Sequence, residues 1–557
     1  MFSMETKMST FVQNLIFMNN KNKHLLLLML TIFMSISGYS QDIISGVVSD
    51  KDGIPMIGAT VLIQGTNRGT TTDFDGKFSI ETTEAVSLKI TYVGFKATYI
   101  KAVPGAVLQI TLEASNALDE VVLTALGIKR EEKALGYSVQ GITASEISQV
   151  KATNVVNALA GKVAGVSITG SSAGPSASSN ITIRGASSLM GNNQPLFIVN
   201  GMPITNDLYT FDDGLNGSTS IDFGNAAQVV NSDDIENISI LKGPAASALY
   251  GSRAASGVIL IQTKTGKNNG DPFSVELNSS VLFSSPLKLP NYQNEYGAGG
   301  GGKYSYLNGS TYIGANENYD AYGENWGPRM NGQLIKQFNS DGEAVPFTPA
   351  PNNIRDFYET ALTHITNVAV NTSSQDANSR FSYTHLGNDG LIPNTGLERN
   401  TFQTSINRSL FDNKLNIGFN NMFVRSTSDN IPNSGYDESS SVMYGWLWLP
   451  RQVAINDLRD YWQPGQEGVE QRYAENLWVN NPWFIAYENT NAFQSNRNIS
   501  NINLDYQIND YANLRFRYGV DYVDEQRQYK RAPSTKGVLN GSYREDEISF
   551  RESNAEW

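Results

Sequence analysis

Hydrophobic and polar residues alternate along much of this chain with a period of about two, the period of a β-strand. Between Ile43 and Leu112 the alternation comes in short runs such as ATVLIQ and KFSIET. Turn signals separate the runs at Asp50–Gly53 and Asp73–Gly76. We expect about seven strands here, forming a compact β-sandwich. Both turn signals predict hairpin turns, because neither has the spaced acidic ligands of a calcium loop.

Longer alternating runs begin beyond Asp271. In one of them, Leu514, Phe516 and Tyr518 alternate with polar residues, so one face is apolar and the other is polar. The pattern predicts eight strands, at about 273–283, 364–372, 380–387, 400–409, 414–425, 497–508, 512–524 and 541–550. Long connections follow the odd strands and short ones follow the even strands, which is typical of a transmembrane β-barrel with long outer loops and short periplasmic turns.

Eight strands are too few for the barrel that the preceding domain requires. An eight-stranded barrel is filled by its own side chains, whereas barrels with an internal plug have about 22 strands. We therefore expect this chain to be a partial or truncated form of a protein that would need roughly 500 more residues to close its barrel.

The N-terminus has the pattern of an export signal. Lys21 and Lys23 precede an apolar run from Leu25 to Ile36, and small residues follow up to Ser40. The run is short for a transmembrane helix but suits a signal peptide. We expect residues 1–40 to be removed on export, with translation starting at Met1, Met8 or Met18. No apolar run in the chain is long enough for a spanning helix.

Composition excludes several classes of protein. The chain has 557 residues and a net charge of −13, which argues against nucleic-acid binding. It contains no cysteine, so thiolate metal sites, disulfides and cysteine nucleophiles are excluded. There are three histidines in total, which makes histidine-based catalysis improbable. We therefore expect no enzyme activity, no cofactor and no metal site.

Two stretches resemble known modules. GVVSDKDGIPMIGATVLIQGTNRGTTTDFDGKFSI is similar to the noncatalytic carboxypeptidase-regulatory-like domain that precedes certain outer-membrane transporters. The hexamer LDEVVL resembles a TonB box, and its residues are Leu118, Asp119, Glu120, Val121, Val122 and Leu123. Such a segment works by adding an extended strand to the sheet edge of a periplasmic partner. An ordinary linker strand is the alternative for this hexamer.

The following stretch resembles the plug domain of TonB-dependent receptors. Its most specific block, ISILKGPAASALYGSRAASGVILIQTKTG, predicts a strand, a turn at Gly243, a short helix and a returning strand, with Gly251 and Gly257 at further reversals. Asn200 stands where this family usually shows Asp. The whole chain from about residue 42 resembles SusC/RagA-type TonB-linked transporters of the Bacteroidetes.

That resemblance implies a fold and a set of partners. The fold class is mainly β, with a β-sandwich, an α+β plug and a partial transmembrane antiparallel barrel. The implied activity is TonB-dependent import of glycan fragments or peptides across the bacterial outer membrane. The implied partners are a TonB-like periplasmic energy transducer, a SusD-like surface lipoprotein and outer-membrane lipid. The predicted domains are 1–40 (signal peptide), 42–116 (sandwich), 117–126 (TonB-box linker), 127–266 (plug) and 272–557 (partial barrel).

Aromatic residues beside polar ones suggest contacts with sugar rings or peptides. The candidate ligand contacts in the plug and the long loops are Tyr209, Phe211, Asp212, Trp326, Trp446 and Trp448. Packing of the loops, or an interfacial aromatic girdle, is the alternative role for each of them.

Three other functions stay open at this point. A TonB-linked siderophore or vitamin receptor shares the plug and barrel but usually lacks the N-terminal sandwich. A soluble or surface-attached adhesin of tandem β-domains would show similar alternation. A secreted hydrolase is the least favoured.

Overall fold

The structure is a computed structural model that describes residues 43–113, 121–123, 129–131, 139–206, 221–266 and 272–557, apart from short gaps within these ranges. The gaps are 52, 65, 67, 93–94, 96, 149–150, 152, 172–173, 175–176, 190–191, 309–310, 315–324, 338–342, 474–478 and 510. The chain divides into two compact units at Val121 and Val122. The predicted signal peptide lies outside the described residues.

The first unit is a sandwich of two sheets. Its strands are β1 (Ile43–Ser49), β2 (Thr60–Ile63), β3 (Gly69–Thr71), β4 (Lys77–Glu81), β5 (Val86–Thr91), β6 (Thr98–Ala102) and β7 (Val107–Thr111). One sheet has the order β4-β1-β7 and the other β3-β2-β5-β6. Alternate side chains such as Ile44, Val61 and Ile90 are buried between them. The predicted seven-strand sandwich is therefore confirmed.

Both Asp-x-Asp-Gly signals form turns. The Gly76 amide donates to the Asp73 carbonyl at 3.0 Å, and the Asp73 carboxylate accepts the Lys77 amide at 2.8 Å. The Asp50 carboxylate likewise accepts the Ile54 amide at 2.8 Å. These carboxylates close their own turns, as Asp side chains commonly do.

The second unit begins with a two-stranded pairing and a five-stranded sheet. The strands are β8 (Val121–Leu123), β9 (Lys129–Glu131), β10 (Val139–Thr143), β11 (Val166–Gly170), β12 (Ser179–Ile183), β13 (Leu196–Val199), β14 (Met202–Ile204), β15 (Ile235–Leu241) and β16 (Val258–Thr263). The five-stranded sheet has the order β10-β15-β16-β13-β14, while β11 pairs with β12 and β8 with β9. We call the part from β10 to β16 the plug.

Short helices complete the plug. The α-helices are α1 (Ala144–Ser148) and α2 (Pro244–Tyr250), and the 3-10 helices span Val155–Leu159, Ala226–Val229, Ser232–Asp234 and Ser252–Ala254. The predicted strand, turn, helix and returning strand are present as β15, Gly243, α2 and β16. Gly243, Gly251 and Gly257 have φ of 78°, 74° and 99°, so each reversal uses backbone that favours glycine.

The rest of the chain forms one eight-stranded antiparallel sheet. In chain order the strands after the plug are β17 (Phe273–Ser284), β18 (Ser305–Asn308), β19 (Thr311–Gly314), β20 (Leu334–Lys336), β21 (Ala344–Pro346), β22 (Ala361–Ser373), β23 (Ala377–Asp389), β24 (Gly396–Leu410), β25 (Leu415–Ser428), β26 (Asn491–Asn509), β27 (Ala512–Arg531) and β28 (Ser542–Glu556). The sheet order is β17-β22-β23-β24-β25-β26-β27-β28, and two small hairpins, β18-β19 and β20-β21, lie in the first long connection.

All eight predicted barrel strands are confirmed, and most are longer than predicted at the long-loop end. β26 and β27 run for 19 and 20 residues. At one end of the sheet the connections are 285–360, 390–395, 429–490 and 532–541, and they alternate with short turns at 374–376, 411–414 and 510–511 at the other end. The connection 390–395 is shorter than predicted, whereas 285–360 and 429–490 are long. The long connections contain helices α3 (Val442–Trp448) and α4 (Pro482–Glu488) and 3-10 helices at Arg355–Phe357 and Ile455–Leu458.

The two faces of this sheet differ in chemistry. Phe273, Val275 and Leu277 of β17 point to one face and are exposed. Glu276, between two of them, points to the opposite face and binds Arg380 of β23. The apolar face is therefore outward and the polar face lies against the plug, as expected for a strand that separates lipid from a lumen. Among the helices that the structure describes, none is both long and apolar enough to cross a membrane.

Candidate ligand chamber and plug interface

The plug and the barrel strands share one apolar core. Met422 and Val424 of β25 and Ile499 of β26 are buried in the same cluster as plug residues that include Ile181 and Ile261. The plug therefore packs against the inward face of the sheet. Burial of such side chains contributes about 25 cal/mol per Å² of apolar surface removed from water.

A buried ion pair holds the plug backbone at Thr205. Arg497 of β26 bonds Asp521 of β27 through two nitrogens, at 2.9 and 2.6 Å. The Arg497 guanidinium also donates to the Thr205 carbonyl at 2.9 Å, and the Thr205 amide donates to the Asp521 carboxylate at 3.1 Å. The two charged side chains therefore satisfy both backbone groups of one plug residue, the carbonyl and the amide of Thr205. We call this arrangement the Thr205 clamp.

A second buried arginine binds a plug carboxylate. Arg380 of β23 lies 3.1 Å from Asp234, and both side chains are 1% exposed. The same guanidinium donates to Asn371 at 2.9 Å and lies 3.2 Å from Glu276 of β17. Charges this deeply buried require a partner, because an unpaired one loses its hydration without compensation.

Arg399 of β24 binds the plug in a different way. Its guanidinium donates to the Gln228 carbonyl at 2.6 Å, to the Gln228 side-chain oxygen at 2.9 Å and to the Thr153 carbonyl at 3.2 Å. Its remaining contact is with Ser426 at 3.1 Å. Among the described residues these partners are all uncharged.

Further contacts join the plug to β27 and β28. Arg517 donates to the Gly201 carbonyl at 3.1 Å. Arg253 of the plug forms a two-nitrogen ion pair with Glu552, at 2.6 and 3.2 Å. Sequence reasoning predicted the polar face of these strands but missed its arginines as plug anchors. Arg380, Arg497 and Arg517 occupy polar-face positions of predicted strands, whereas Arg399 lies one residue before the predicted strand 400–409.

An open chamber of about 570 Å³ lies between the plug and the long connections. We call it the upper chamber, since it is at the long-loop end of the sheet. Aromatic and aliphatic side chains line much of it, among them Tyr292, Tyr358, Trp446, Leu282 and Leu397. Its floor includes Thr153 and Gly174 of the plug. Such a lining suits the apolar faces of sugar rings or peptide side chains.

The long connections pack around an aromatic core. Phe357 contacts Trp446 and Trp483 edge to face, with ring centroids 5.5 and 4.9 Å apart. Arg451 binds Asn294, Asn353 and the Gln293 carbonyl, which joins separate segments of the first long connection. Burial raises the pKa of Tyr358 and Tyr461 to about 12 in this region. The wall of the upper chamber is therefore a packed structure.

The predicted ligand contacts divide into three groups. Trp446 borders the upper chamber and is 5% exposed, so it both packs the loop core and faces the chamber. Trp448 and Trp326 are 38% and 60% exposed and do not line this chamber. The candidates at Tyr209, Phe211 and Asp212 lie outside the described residues.

The predicted TonB box is described in part. Val121–Leu123 forms β8 and pairs with β9. Leu118, Asp119 and Glu120 lie outside the described residues. The second half of the hexamer is thus extended, which is the conformation that strand addition to a partner requires.

Asn200 has a structural role in this chain. It adopts a φ of 51° and Gly201 a φ of 85°, which forms the two-residue turn between β13 and β14. Its side-chain oxygen accepts the Thr263 amide at 2.9 Å, and its amide nitrogen donates to the Thr263 hydroxyl at 3.0 Å. An aspartate could accept the first bond but could not donate the second.

Two family matches agree with this architecture. Residues 131–258 match the TonB-dependent Receptor Plug Domain, and residues 44–123 match the CarboxypepD_reg-like domain. The chain is thus a homologue of the TonB-dependent receptors. A regulatory-like domain ahead of a plug and an antiparallel β-sheet is an arrangement similar to that of the SusC/RagA type.

Individual relatives support the same assignment. The TonB-dependent receptor SusC of Bacteroides thetaiotaomicron is 29% identical over 513 residues, which is 89% of this chain and 46% of SusC. The probable siderophore receptor PirA of Acinetobacter baumannii is 35% identical but over 170 residues, 30% of this chain and 20% of PirA. Among solved structures, the RagAB peptide importer in its open-open state has a TM-score of 0.58 at 20% identity, covering 78% of this chain and 46% of that one. This chain spans about half the length of SusC.

Proposed function

We propose that this protein acts as a TonB-dependent outer-membrane transporter that imports glycan fragments or peptides. The observation that carries this proposal is the plug itself, tied to the inward face of the strands by the Thr205 clamp and by Arg380 and Arg399. A plug that closes a barrel requires an energised step to open it, and a TonB-box segment ahead of the plug would receive that energy.

The arrangement of the strands supports an orientation in the membrane. Short turns are typical of the periplasmic side of such barrels and long loops of the outer side. The upper chamber would then face the cell exterior and meet the ligand first. Its aromatic and aliphatic walls, including Tyr358 and Trp446, support cargo with apolar surfaces. Export by the N-terminal signal peptide is part of the proposal.

We infer two protein partners. A TonB-like periplasmic transducer would add the segment from Leu118 to Leu123 to its own sheet edge. A SusD-like surface lipoprotein would close over the long connections. Peptide as a cargo class is supported by the RagAB structure, which is described as a peptide importer. The named relatives are receptors and importers, which supports a role without catalysis.

The test is a block of strand addition at the TonB box. Val121→Pro together with Val122→Pro removes two backbone donors, whereas Val121→Ala with Val122→Ala leaves them in place. The probes are radiolabelled maltooligosaccharides and radiolabelled casein peptides, given to the bacterium that carries the gene. We expect the proline variant to lose uptake of a probe while still binding it at the cell surface, and the alanine variant to retain both.

Normal uptake by the proline variant would refute the role of the hexamer. Uptake of neither probe by the unaltered cells, together with uptake of an iron-loaded siderophore, would favour the siderophore-receptor alternative, which the shorter PirA match supports. Recovery of the protein from the aqueous periplasm instead of the outer membrane would favour an adhesin.

A further inference from the structure

A gap in the outward face of the sheet lies at Gly387 of β23. Gly387 pairs with His364 of β22 on one side and with Glu398 of β24 on the other. Along β23 itself, His385 lies two residues before Gly387 and Asp389 two residues after it. Side chains alternate between the faces of a sheet along each strand, and paired residues share a face. These four side chains therefore surround the glycine on one face, and we call them the Gly387 cluster.

The cluster belongs to the outward face, near the long-loop end of the sheet. Val368, Tyr383 and Phe402 form one row across β22, β23 and β24 on the same face as the cluster, and all three are exposed. His364 and His385 are within five residues of the long-loop ends of their strands. The cluster is thus on the long-loop side of that row. In the proposed orientation, ions outside the cell reach this level of the barrel.

The two histidines of the cluster are in contact. Their ring centroids are 5.2 Å apart, with 41° between the ring planes. Two imidazoles that bind one ion tetrahedrally, each through a nitrogen at about 2.1 Å, have centroids roughly 5 Å apart. The observed separation therefore fits two ligands of a single metal ion. The chain has one other histidine, His24, in the predicted signal peptide. The pairing of β22 with β23 brings the remaining two together, which no local sequence pattern predicts.

Asn400 of β24 determines which nitrogen of His385 is free. The Asn400 side-chain oxygen accepts a hydrogen bond from the Tyr383 hydroxyl at 2.7 Å and lies 3.1 Å from Nδ1 of His385. An amide oxygen can only accept, so Nδ1 carries the proton and Nε2 keeps its lone pair. Metal-binding histidines commonly have this arrangement, in which the second ring nitrogen donates to an oxygen. His385 is therefore oriented to bind a metal ion through Nε2.

Space for the His364 ring depends on the glycine. A Cβ added at Gly387 would lie 2.6 Å from Nε2 of His364 and closer still to its Cε1. The ring therefore lies directly over Gly387, in the middle of the cluster. Gly387 is not among the residues with positive φ, so its backbone conformation suits other residues as well. The position requires glycine because of the ring that covers it.

Two carboxylates border the same space. Asp389 and Glu398 are exposed, and neither side chain forms an ion pair or hydrogen bond with any described residue. In the described part of the chain, no three His, Cys, Asp or Glu side chains already form a metal site. A carboxylate must therefore rotate towards the two rings to become a third ligand. Glu398 lies two strand spacings, or about 10 Å, from His364, a distance that the two side chains span with an ion between them.

We propose that the Gly387 cluster binds one divalent transition-metal ion, with Zn²⁺ as the reference ion. His364 and His385 supply the nitrogen ligands, and Glu398 or Asp389 supplies an oxygen ligand. Imidazole together with carboxylate suits Zn²⁺, and water fills the remaining position of an open site. This site goes beyond the proposed transport function, since it faces away from the plug. The bound ion connects β22, β23 and β24 near their long-loop ends.

Zinc binding tests the site directly. The full-length protein is solubilised in detergent and purified through a tag without histidine, and ZnCl₂ is titrated by calorimetry. We expect a site whose affinity His364→Ala and His385→Ala each lower at least about tenfold. Glu398→Gln combined with Asp389→Asn should also lower it about tenfold. Glu547→Gln is the control, because it removes an exposed carboxylate of β28 and should leave the affinity unchanged. Absence of such a site, or equal affinity in the unaltered protein and both histidine variants, would overturn the proposal.

Gly387→Ala tests the geometry with every ligand in place. The added methyl group displaces the His364 ring, so the affinity for Zn²⁺ should fall at least about tenfold. Thermal unfolding without metal shows whether this variant folds, and unchanged zinc affinity in the folded variant would overturn the proposal. A second comparison needs no change at the glycine. ZnCl₂ should raise the unfolding temperature of the unaltered protein but not that of His364→Ala, because a ligand of the folded state stabilises it. An equal rise in both would likewise overturn the site.

Discussion

Arg497 and Asp521 lie on neighbouring strands and together form hydrogen bonds with both backbone groups of Thr205. The arginine donates to the carbonyl and the aspartate accepts the amide, while the two side chains neutralise each other. Either side chain alone would satisfy one of the two Thr205 backbone groups and would leave a buried charge unpaired. The pair therefore works as one unit.

The first prediction concerns this unit. Asp521→Ala leaves Arg497 buried without its partner, and breaking a buried pair in this way costs about 3–5 kcal/mol. We expect thermal unfolding of the detergent-solubilised protein at a lower temperature, with earlier proteolysis of the plug. The matched control is Asp505→Ala on the same two strands, since Asp505 pairs with Arg515 in a partly exposed position.

The control should lose no more than about 1 kcal/mol, as exposed pairs usually do. Equal destabilisation by both substitutions would show that the clamp contributes nothing beyond an ordinary strand-to-strand pair.

The second prediction compares two tryptophans. Trp446 packs against Phe357 and Tyr358, so Trp446→Ala should destabilise the loop core by about 3–5 kcal/mol. Trp326 is largely exposed, and Trp326→Ala should change stability by less than about 0.5 kcal/mol. Chemical unfolding followed by tyrosine fluorescence distinguishes the two. A large loss for Trp326→Ala would mean that its ring has a packing role.

The third prediction is a pH dependence. Burial raises the pKa of Tyr358 from 10.0 to about 12, with a further contribution from Tyr292. Below pH 10 the phenol is protonated in the folded and unfolded chain alike; above it the unfolded chain loses the proton first. Stability is therefore fully present below pH 10 and falls as the pH rises towards 12.

Absorbance at 295 nm should show a group of tyrosines that ionises late. Tyr358→Phe should remove one member of that group. Burial likewise raises the pKa of Tyr461 to about 12, with its hydroxyl donating to Glu488 at 3.0 Å. Ionisation of all tyrosines in a single step near pH 10 would contradict the packed loop core.

The fourth prediction is a coupling across the plug interface. A Cβ added at Gly519 of β27 would lie 2.5 Å from the Met202 side chain, so Gly519→Ala should cost about 1–3 kcal/mol by overpacking. In a Met202→Ala background the same change should cost much less. Thermal unfolding of the four proteins measures the coupling, which we expect at about 0.5–3 kcal/mol. A coupling of zero would mean that β14 moves freely relative to β27.

The sequence predicted the strands well because their signal is local. The alternation between Leu514 and Tyr522 indicates an apolar face and a polar face, and it does so without reference to any other segment of the chain. The reversals at Gly243 and Gly251 are likewise set by single residues. These elements could be predicted without knowing what they pack against.

The candidate site was predictable to a smaller extent, because it is made between distant segments. Arg497 and Thr205 are 292 residues apart in the chain, and Arg399 and Gln228 are 171 apart. No periodicity indicates which inward arginine meets which plug carbonyl. Trp446 was predicted as a ligand contact and also proves to be loop core, since burial depends on Phe357 and Trp483 in other segments.

The plug sheet has one edge strand next to the segment that a transducer would pull. β10 pairs with β15 through Val139 to Thr143, and β15 is its one neighbour in the five-stranded sheet. A pull directed away from the sheet would load these five residue pairs in succession from Val139 onward. In this geometry each residue pair breaks before the next one is loaded, so the force that separates β10 is the force that breaks a single pair. A pull along the strands would load all five pairs at once and would need a larger force.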